Sequence, residues 1–464
     1  MGAGRTLVAV ALVAISLVYC LHSLRLHLLI PKDEAIHWVS ETLKHSVPLG
    51  DKIHSLINSK LAQGYADAAA SKAKAQPEET LTSKIQRYKG SRTPYTRHIV
   101  AVGDLHGDLP NARRVLKFSD VIDEYDNWSG NVDFFVQTGD IIDRGDDTIA
   151  LFTWMDKLRG QATASGATVL SHLGNHEWMN MIGDWRYVYP TEIKTFGSVA
   201  ARQEMLSSGL IGRSWASNYS TTSRLPLHPS LGPPNTPYPS PATLKHLHYS
   251  KEDGDFEVDI DFDVWMFNNH RKPESKDPLS HAAISFVHGG LSPTYKGLTP
   301  FPSKINEVAA SLMRKLQRRQ QPPPHPPNPY PGLPESATTE EKELYDSNGP
   351  LWYRGWAQDD ETTACKKVDG VLAKTGTRRM IMGHTPDFNN IVSRCNGKII
   401  IIDTGISHAY GGVLSALSIH YTVHPIGDDA EQKWVEREVI SALYEEKRTM
   451  IVDEEREIVG DFQV

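Results

Sequence analysis

The sequence predicts an α/β protein made of stacked layers. Three observations carry that expectation. β-branched and aromatic runs alternate with amphipathic helical patterns through the middle of the chain. Several of those runs end in a Gly-Asp, Gly-Asn or His-Gly turn, so polar residues gather at one edge of the strands. The 464 residues are 39% hydrophobic and 23% charged, a soluble balance with enough apolar side chain for a large core.

Taken in order, the chain opens on residues 6–24, an uncharged run of mostly Val, Leu, Ala and Ile between Arg5 and Arg25. At ~1.5 Å per residue such a run just spans a ~30 Å hydrocarbon core. Its exit, Tyr19-Cys-Leu-His22, is a poor cleavage site, and the run is apolar on every face rather than amphipathic. The expectation is a single uncleaved transmembrane signal-anchor, in the secretory or endomembrane system in preference to mitochondria. The flanking charges are too balanced to orient it. Residues 33–97 read as a stem, with Ala- and Lys-rich helical stretches broken at Pro48, Gly50 and Pro77.

The α/β body is expected over 98–464. Its strand candidates are His98-Ile-Val-Ala-Val102, Val132-Asp-Phe-Phe-Val-Gln137, Thr168-Val-Leu170, Ala283-Ile-Ser-Phe-Val287, Arg379-Met-Ile-Met382 and Lys398-Ile-Ile-Ile-Ile-Asp403. Helical patterns intervene at 111–118 and 148–158, where Leu151, Phe152, Met155 and Leu158 share a face. Two Pro-rich tracts, about 225–241 and 320–334, are expected as solvated insertions of extended polyproline character. A proline-recognising module is a candidate partner there. The tail, 430–464, reads as helical first and strand-like after.

Net charge is −7 without long like-charge blocks, which argues against a nucleic-acid partner. The three cysteines, Cys20, Cys365 and Cys395, contain no zinc-type pair. Cys365 and Cys395 could form one disulfide or stand as two free thiols, and the sequence leaves both readings open.

Three motifs concentrate the chemistry: Gly103-Asp-Leu-His-Gly107, Gly139-Asp-Ile-Ile-Asp-Arg-Gly145 and Gly174-Asn-His-Glu177. Asp104 and His106 alternate past the first strand, so one turn can aim both at a single cation. Asp140 can bridge two cations through its two oxygens. Asn175 ends the third unit, while His288 in Phe286-Val-His-Gly-Gly290 and His384 in Met382-Gly-His-Thr385 follow two further strands. Any one of these motifs alone is more often a turn than a ligand. Five in chain order, each after a strand, point to a two-metal site. Mixed oxygen and imidazole ligands suit Mn, Fe or Zn better than Ca.

The arrangement resembles the metallophosphoesterase superfamily and, more narrowly, the phosphoprotein phosphatase (calcineurin-like) family. The resemblance covers about residues 98–420 outside the Pro-rich tracts. It implies a β-sandwich flanked by helices, four layers in the order αββα, and metal-dependent hydrolysis of phosphate monoesters. Carried over, Asp104, His106 and Asp140 would hold one ion, and Asp140, Asn175, His288 and His384 the other. His176 would be the general acid, with Asp143 accepting its ring proton. Arg144 and Arg354, with Asn175, would bind the substrate phosphate; Arg354 stands in Leu351-Trp-Tyr-Arg-Gly355.

The pattern departs from the familiar Ser/Thr enzymes. His172-Leu173 precedes Gly174-Asn-His-Glu177, where those enzymes usually carry Leu-Arg, and no Ser-Ala-Pro-Asn-Tyr segment is present. With Asp403-Thr-Gly-Ile-Ser-His-Ala-Tyr-Gly-Gly412, the chain is similar to the Shewanella-like phosphatase branch. That similarity leaves phosphotyrosine against phosphoserine or phosphothreonine open. Two other readings stand beside this one: hydrolysis of dinucleoside polyphosphates, whose enzymes use closely related motifs, and a non-catalytic membrane scaffold that binds phosphoproteins, against which the intact Asp143, His176 and metal-ligand positions argue. Sequons at Asn127-Trp-Ser129 and Asn218-Tyr-Ser220 would be glycosylated in a lumenal domain.

Overall fold

The computed structural model describes residues 90–239 and 278–464. The expected signal-anchor and nearly all of the expected stem lie outside them. Among the described residues no helix is long and apolar enough to cross a membrane.

The strands are β1 (Tyr95–Val102), β2 (Phe134–Gln137), β3 (Thr168–His172), β4 (Tyr219–Ser220), β5 (Thr222–Pro226) and β6 (Ala283–Val287). They continue with β7 (Arg379–Met382), β8 (Val392–Arg394), β9 (Ile399–Ile401), β10 (Ser415–Ile426), β11 (Lys433–Tyr444) and β12 (Arg448–Val459). Two mixed sheets result: a seven-stranded one in the order β12-β11-β10-β1-β2-β3-β4, and a five-stranded one in the order β5-β6-β7-β9-β8. β1, β2 and β3 run parallel, as do β6, β7 and β9, so six strands end at the same kind of edge.

The period-2 alternation of a strand explains the layering. Along β1, Ile99 and Ala101 join Phe134 and Val136 against Ile284, Phe286, Ile381 and Ile400 of the other sheet. Val100 and Val102 point the opposite way, into a second core shared with the helices Leu109–Phe118 and Thr148–Ala164. On the five-stranded sheet Met380, Met382, Ile399 and Ile401 likewise face Ala364, Val368 and Val371 of the helix Glu361–Thr375. The sheets lie inside and the helices outside.

Three expectations need correction. The body begins before residue 98: the Arg92 guanidinium donates to the carbonyls of Ile426, Asp428 and Lys433, fastening the start of β1 to the far strands. The tail is not helical. Beyond a single 3-10 turn, Asp429–Glu431, it is the antiparallel pair β11 and β12. Its core-facing positions include Glu436 and Glu438, whose charges hide the alternation.

The Pro-rich tracts are not free insertions. The first takes in the end of β5, and Leu225 and Leu227 are fully buried in the inter-sheet core. Tyr238 pairs with Phe301 through reciprocal backbone bonds of 2.8 and 2.7 Å. In the second, His325 exchanges backbone bonds with Gly183 and Trp185, and Pro322 accepts from Gln203 at 2.7 Å. Proline lacks a donor, but its carbonyl still accepts, so such a tract can dock edge-on. Cys365 and Cys395 are joined by a disulfide, which ties the helix Glu361–Thr375 to the residue after β8. Asn218 is the last residue of the helix Leu210–Asn218.

Candidate active site

The expected ligand residues all fall just past strand ends. Asp104 and His106 follow β1, Asp140 follows β2, Asn175 follows β3, His288 follows β6 and His384 follows β7. Every one is buried. Turning the chain so sharply requires unusual backbone: His106, Asp140, Asp143, Arg144 and His384 all have φ between 44° and 72°. Non-glycine residues rarely adopt that region, and they cluster there when surrounding structure enforces it. Two glycines make room. A Cβ on Gly383 would stand 2.5 Å from Asp104 Oδ1, and one on Gly174 would collide with the Asp140 side chain.

His106 Nε2 lies 3.9 Å from Asp104 Oδ2 and 3.8 Å from Asp140 Oδ2. On the other side of Asp140, His288 Nε2 lies 3.2 Å from Asp140 Oδ2 and 2.8 Å from Asn175 Oδ1. His384 joins that second group, with ligand atoms of Asp140, His288 and His384 all within 4.8 Å of one another. Asp140 is thus common to two clusters.

The residues present suit metal ions. His106 Nδ1 donates to the Ile142 carbonyl at 3.0 Å, and His288 Nδ1 to the Thr138 carbonyl at 3.0 Å. In each ring the Nε2 atom is left for ligation, the arrangement by which backbone carbonyls orient metal-binding histidines. His384 Nε2 is buried with no hydrogen-bond partner. Burial, with the charge of His176, pushes His106 down to about 3. Burial, with His288 and Arg354, holds His384 well below its ordinary value. Both imidazoles are therefore neutral, as ligation requires. Burial and the neighbouring Asp403 and Asp140 raise Asp104 well above the usual carboxylate range. That is the mutual repulsion a cation would relieve.

His176 is held differently. Its Nδ1 is 2.7 Å from Asp143 Oδ2, and its backbone N–H donates to Asp140 Oδ1 at 2.9 Å. Burial opposes its charge, but Asp140 and Asp143 more than offset this and raise it above 6.5. By distance alone Nε2, 3.8 Å from Asp140 Oδ2, falls within the first cluster. The raised value favours the charged ring, which has no lone pair to offer a metal and suits an acid better than a ligand. Asp143 in turn accepts from Asn180 Nδ2 at 2.9 Å and lies 3.5 Å from Arg202, which is fully buried.

Arg144 and Arg354 flank the clusters. Arg354 Nη1 donates to the His384 carbonyl at 2.8 Å and Thr385 Oγ1 at 3.0 Å. Arg144 Nε is buried without a partner.

The calcineurin-like phosphoesterase family matches residues 97–388. The chain belongs to that family. An uncharacterized protein of Schizosaccharomyces pombe is 31% identical over 342 residues, covering 72% of this chain and 81% of its own. Shewanella-like protein phosphatase 2 of Arabidopsis thaliana is 27% identical over 321 residues, 67% of this chain and 71% of its own. Among solved structures, the cold-active protein-tyrosine phosphatase of a psychrophilic Shewanella species covers 82% of this chain and 87% of its own, at 20% identity and TM-score 0.49. The expected kinship with Shewanella-like phosphatases agrees with the named relatives.

The structure of this phosphoesterase adds residues that the motifs did not single out. Asp403 follows β9 just as the ligand candidates follow their strands. Burial pushes its carboxyl up to about 6, and it interacts with Asp104. Its place after Ile399–Ile401 was the available signal. Asn180, Arg202 and Glu192 form the buried chain behind Asp143, with Arg202 donating to Asn180 Oδ1 at 2.6 Å and Glu192 Oε1 at 3.0 Å. No sequence motif announces them.

Proposed function

We propose that this phosphoesterase hydrolyses phosphate monoesters on phosphoproteins with two metal ions, of Mn, Fe or Zn, held at Asp140. The supporting observation is the sharing of Asp140 between two histidine-containing clusters beside the His176–Asp143 pair. Asp104, His106 and Asp140 would hold one ion; Asp140, Asn175, His288 and His384 would hold the other. When bound, such ions supply Lewis acidity toward phosphoryl oxygens and activate water at neutral pH. Arg144 and Arg354 would orient the phosphate through paired N–H groups, together with Asn175. His176 Nε2 gives its proton to the departing ester oxygen while Asp143 keeps the ring oriented and charged.

The relatives named protein phosphatases support a protein substrate. Anchoring at a membrane rests on the apolar run 6–24, and the Cys365–Cys395 disulfide supports an oxidising, secretory-pathway compartment. A proline-reading partner would have to engage tracts that are already docked on the body.

The test is a panel of phosphotyrosyl, phosphoseryl and phosphothreonyl peptides, with diadenosine tetraphosphate alongside, turned over by the Mn-loaded chain. Hydrolysis of phosphopeptides is expected. Turnover of diadenosine tetraphosphate alone would replace this reading with a dinucleotide hydrolase, and binding without turnover would replace it with a scaffold.

A further inference from the structure

We propose that Tyr187 is a positioning residue for Arg144, holding its guanidinium with an aromatic face so that its charge stays uncommitted until a phosphate arrives. The inference rests on reading Arg144 as a phosphate-binding group.

Tyr187 meets Arg144 at both ends. The Arg144 backbone N–H donates to the Tyr187 carbonyl at 3.1 Å, at a residue whose φ of 63° needs an external tether. At the other end the guanidinium carbon lies 4.3 Å from the Tyr187 ring centroid and 4.7 Å from that of Tyr410. A ring face attracts a cation without accepting its N–H groups in line. A carboxylate in the same place would neutralise the guanidinium and compete with substrate oxygens for its paired donors. Two tyrosines therefore hold the group without accepting its N–H donors, and Nε is buried with no hydrogen-bond partner. The Tyr187 ring is also 4.9 Å from that of His176, so one side chain spaces the proton donor from the phosphate-binding cation.

Tyr187 is itself held from behind. Its loop follows the helix Asn175–Ile182 and forms a parallel bridge from Asp184 to His325 of the second Pro-rich tract. The Trp185 N–H donates to the His325 carbonyl at 2.6 Å, and the His325 N–H to the Gly183 carbonyl at 2.9 Å. Trp185 is buried with the Arg202 guanidinium 4.4 Å from its ring. The docked tract thus acts as a strap across the loop that carries Tyr187.

The experiment is a double-mutant cycle on the full, Mn-loaded chain, reading KM, kcat and inhibition by inorganic phosphate for Tyr187→Leu, Arg144→Ala and the pair. Tyr187→Leu is expected to raise KM and the phosphate inhibition constant about 5- to 30-fold, the factor carried by the ~1–2 kcal/mol of a partly desolvated cation–π contact. Metal content should stay unchanged, and Tyr187→Phe, which keeps the ring, should restore most of the affinity. In the Arg144→Ala background Tyr187→Leu should add nothing. Equal weakening in both backgrounds, or no weakening where Arg144→Ala alone weakens phosphate, would overturn the proposal. If Arg144→Ala itself leaves phosphate inhibition intact, the underlying phosphate-binding reading falls instead. Should Tyr187→Leu fail to fold, Tyr410→Leu removes the other ring and carries the same expectations.

Discussion

The carboxylate of Glu177 accepts the backbone N–H of Asp140 at 2.9 Å, so the third motif holds the second in place. The same carboxylate accepts from Ile141 at 2.8 Å, Ile142 at 3.3 Å and Gly174 at 2.7 Å. Asp140 needs this support because its backbone is left-handed, with φ 57°. Glu177→Gln would turn one acceptor into an NH2 donor facing these N–H groups. With at least one buried N–H left unpaired, the expected cost is ~1–3 kcal/mol of stability, together with weaker metal uptake. Denaturant unfolding and metal titration check both, and no change in either would remove Glu177 from this role.

His176→Asn should retain metal and lose turnover by about 10²- to 10⁴-fold, the usual contribution of a positioned acid. The deficit should shrink on aryl phosphates whose leaving groups are stable as anions, because these need no proton. A deficit independent of leaving group, or metal lost in step with activity, would show that His176 is a ligand.

What could be read from the sequence was whatever is local. Asp104, Asp140, Asn175, His288 and His384 each stand within three residues of a strand end, and a strand followed by a glycine turn is visible in one dimension. Asp403, two residues past β9, carried the same local signal and was passed over because it stands outside the metal motifs. Residues that act through space were hidden: Arg202 reaches Asp143 only through the fold of intervening helices. The tail misled for a physical reason: Glu436 and Glu438 occupy inward positions of β11 because Arg378 and Arg379 meet them there. Binary patterning has no way to foresee a paired buried charge. The second Pro-rich tract misled because its docking uses backbone bonds at His325, which composition does not encode.

Reduction of the Cys365–Cys395 bond should destabilise the body by about 2–4 kcal/mol, through the loop freed in the unfolded chain. Unfolding with and without a dithiol reductant, repeated on Cys365→Ser, measures it. An unchanged unfolding midpoint would show that the two thiols are not joined in the native protein.

Glu436 predicts an acid limb in stability. Burial alone would raise its carboxyl, but Arg378 and Arg456 outweigh burial and hold it below its ordinary 4.5. Arg378 Nη1 lies 2.9 Å away, and the Tyr421 hydroxyl donates to it at 2.7 Å. Above 4.5 the folded and unfolded chains are both ionised and the stabilisation is whole. Below 4.5 the unfolded chain takes up the proton first, so stability falls with pH down to the lower folded value. Glu436→Gln should be less stable at neutral pH and should flatten this part of the profile. Parallel profiles for the two proteins would contradict the assignment.

The proposed function has Asp140 join two metal ions into one phosphate-hydrolysing centre. Its most direct test is Mn-dependent hydrolysis of p-nitrophenyl phosphate by the native chain and by Asp140→Asn, with bound metal quantified in the same samples. Metal-dependent turnover is expected of the native chain, and loss of both metal and turnover of the variant. Near-normal turnover by Asp140→Asn would contradict it.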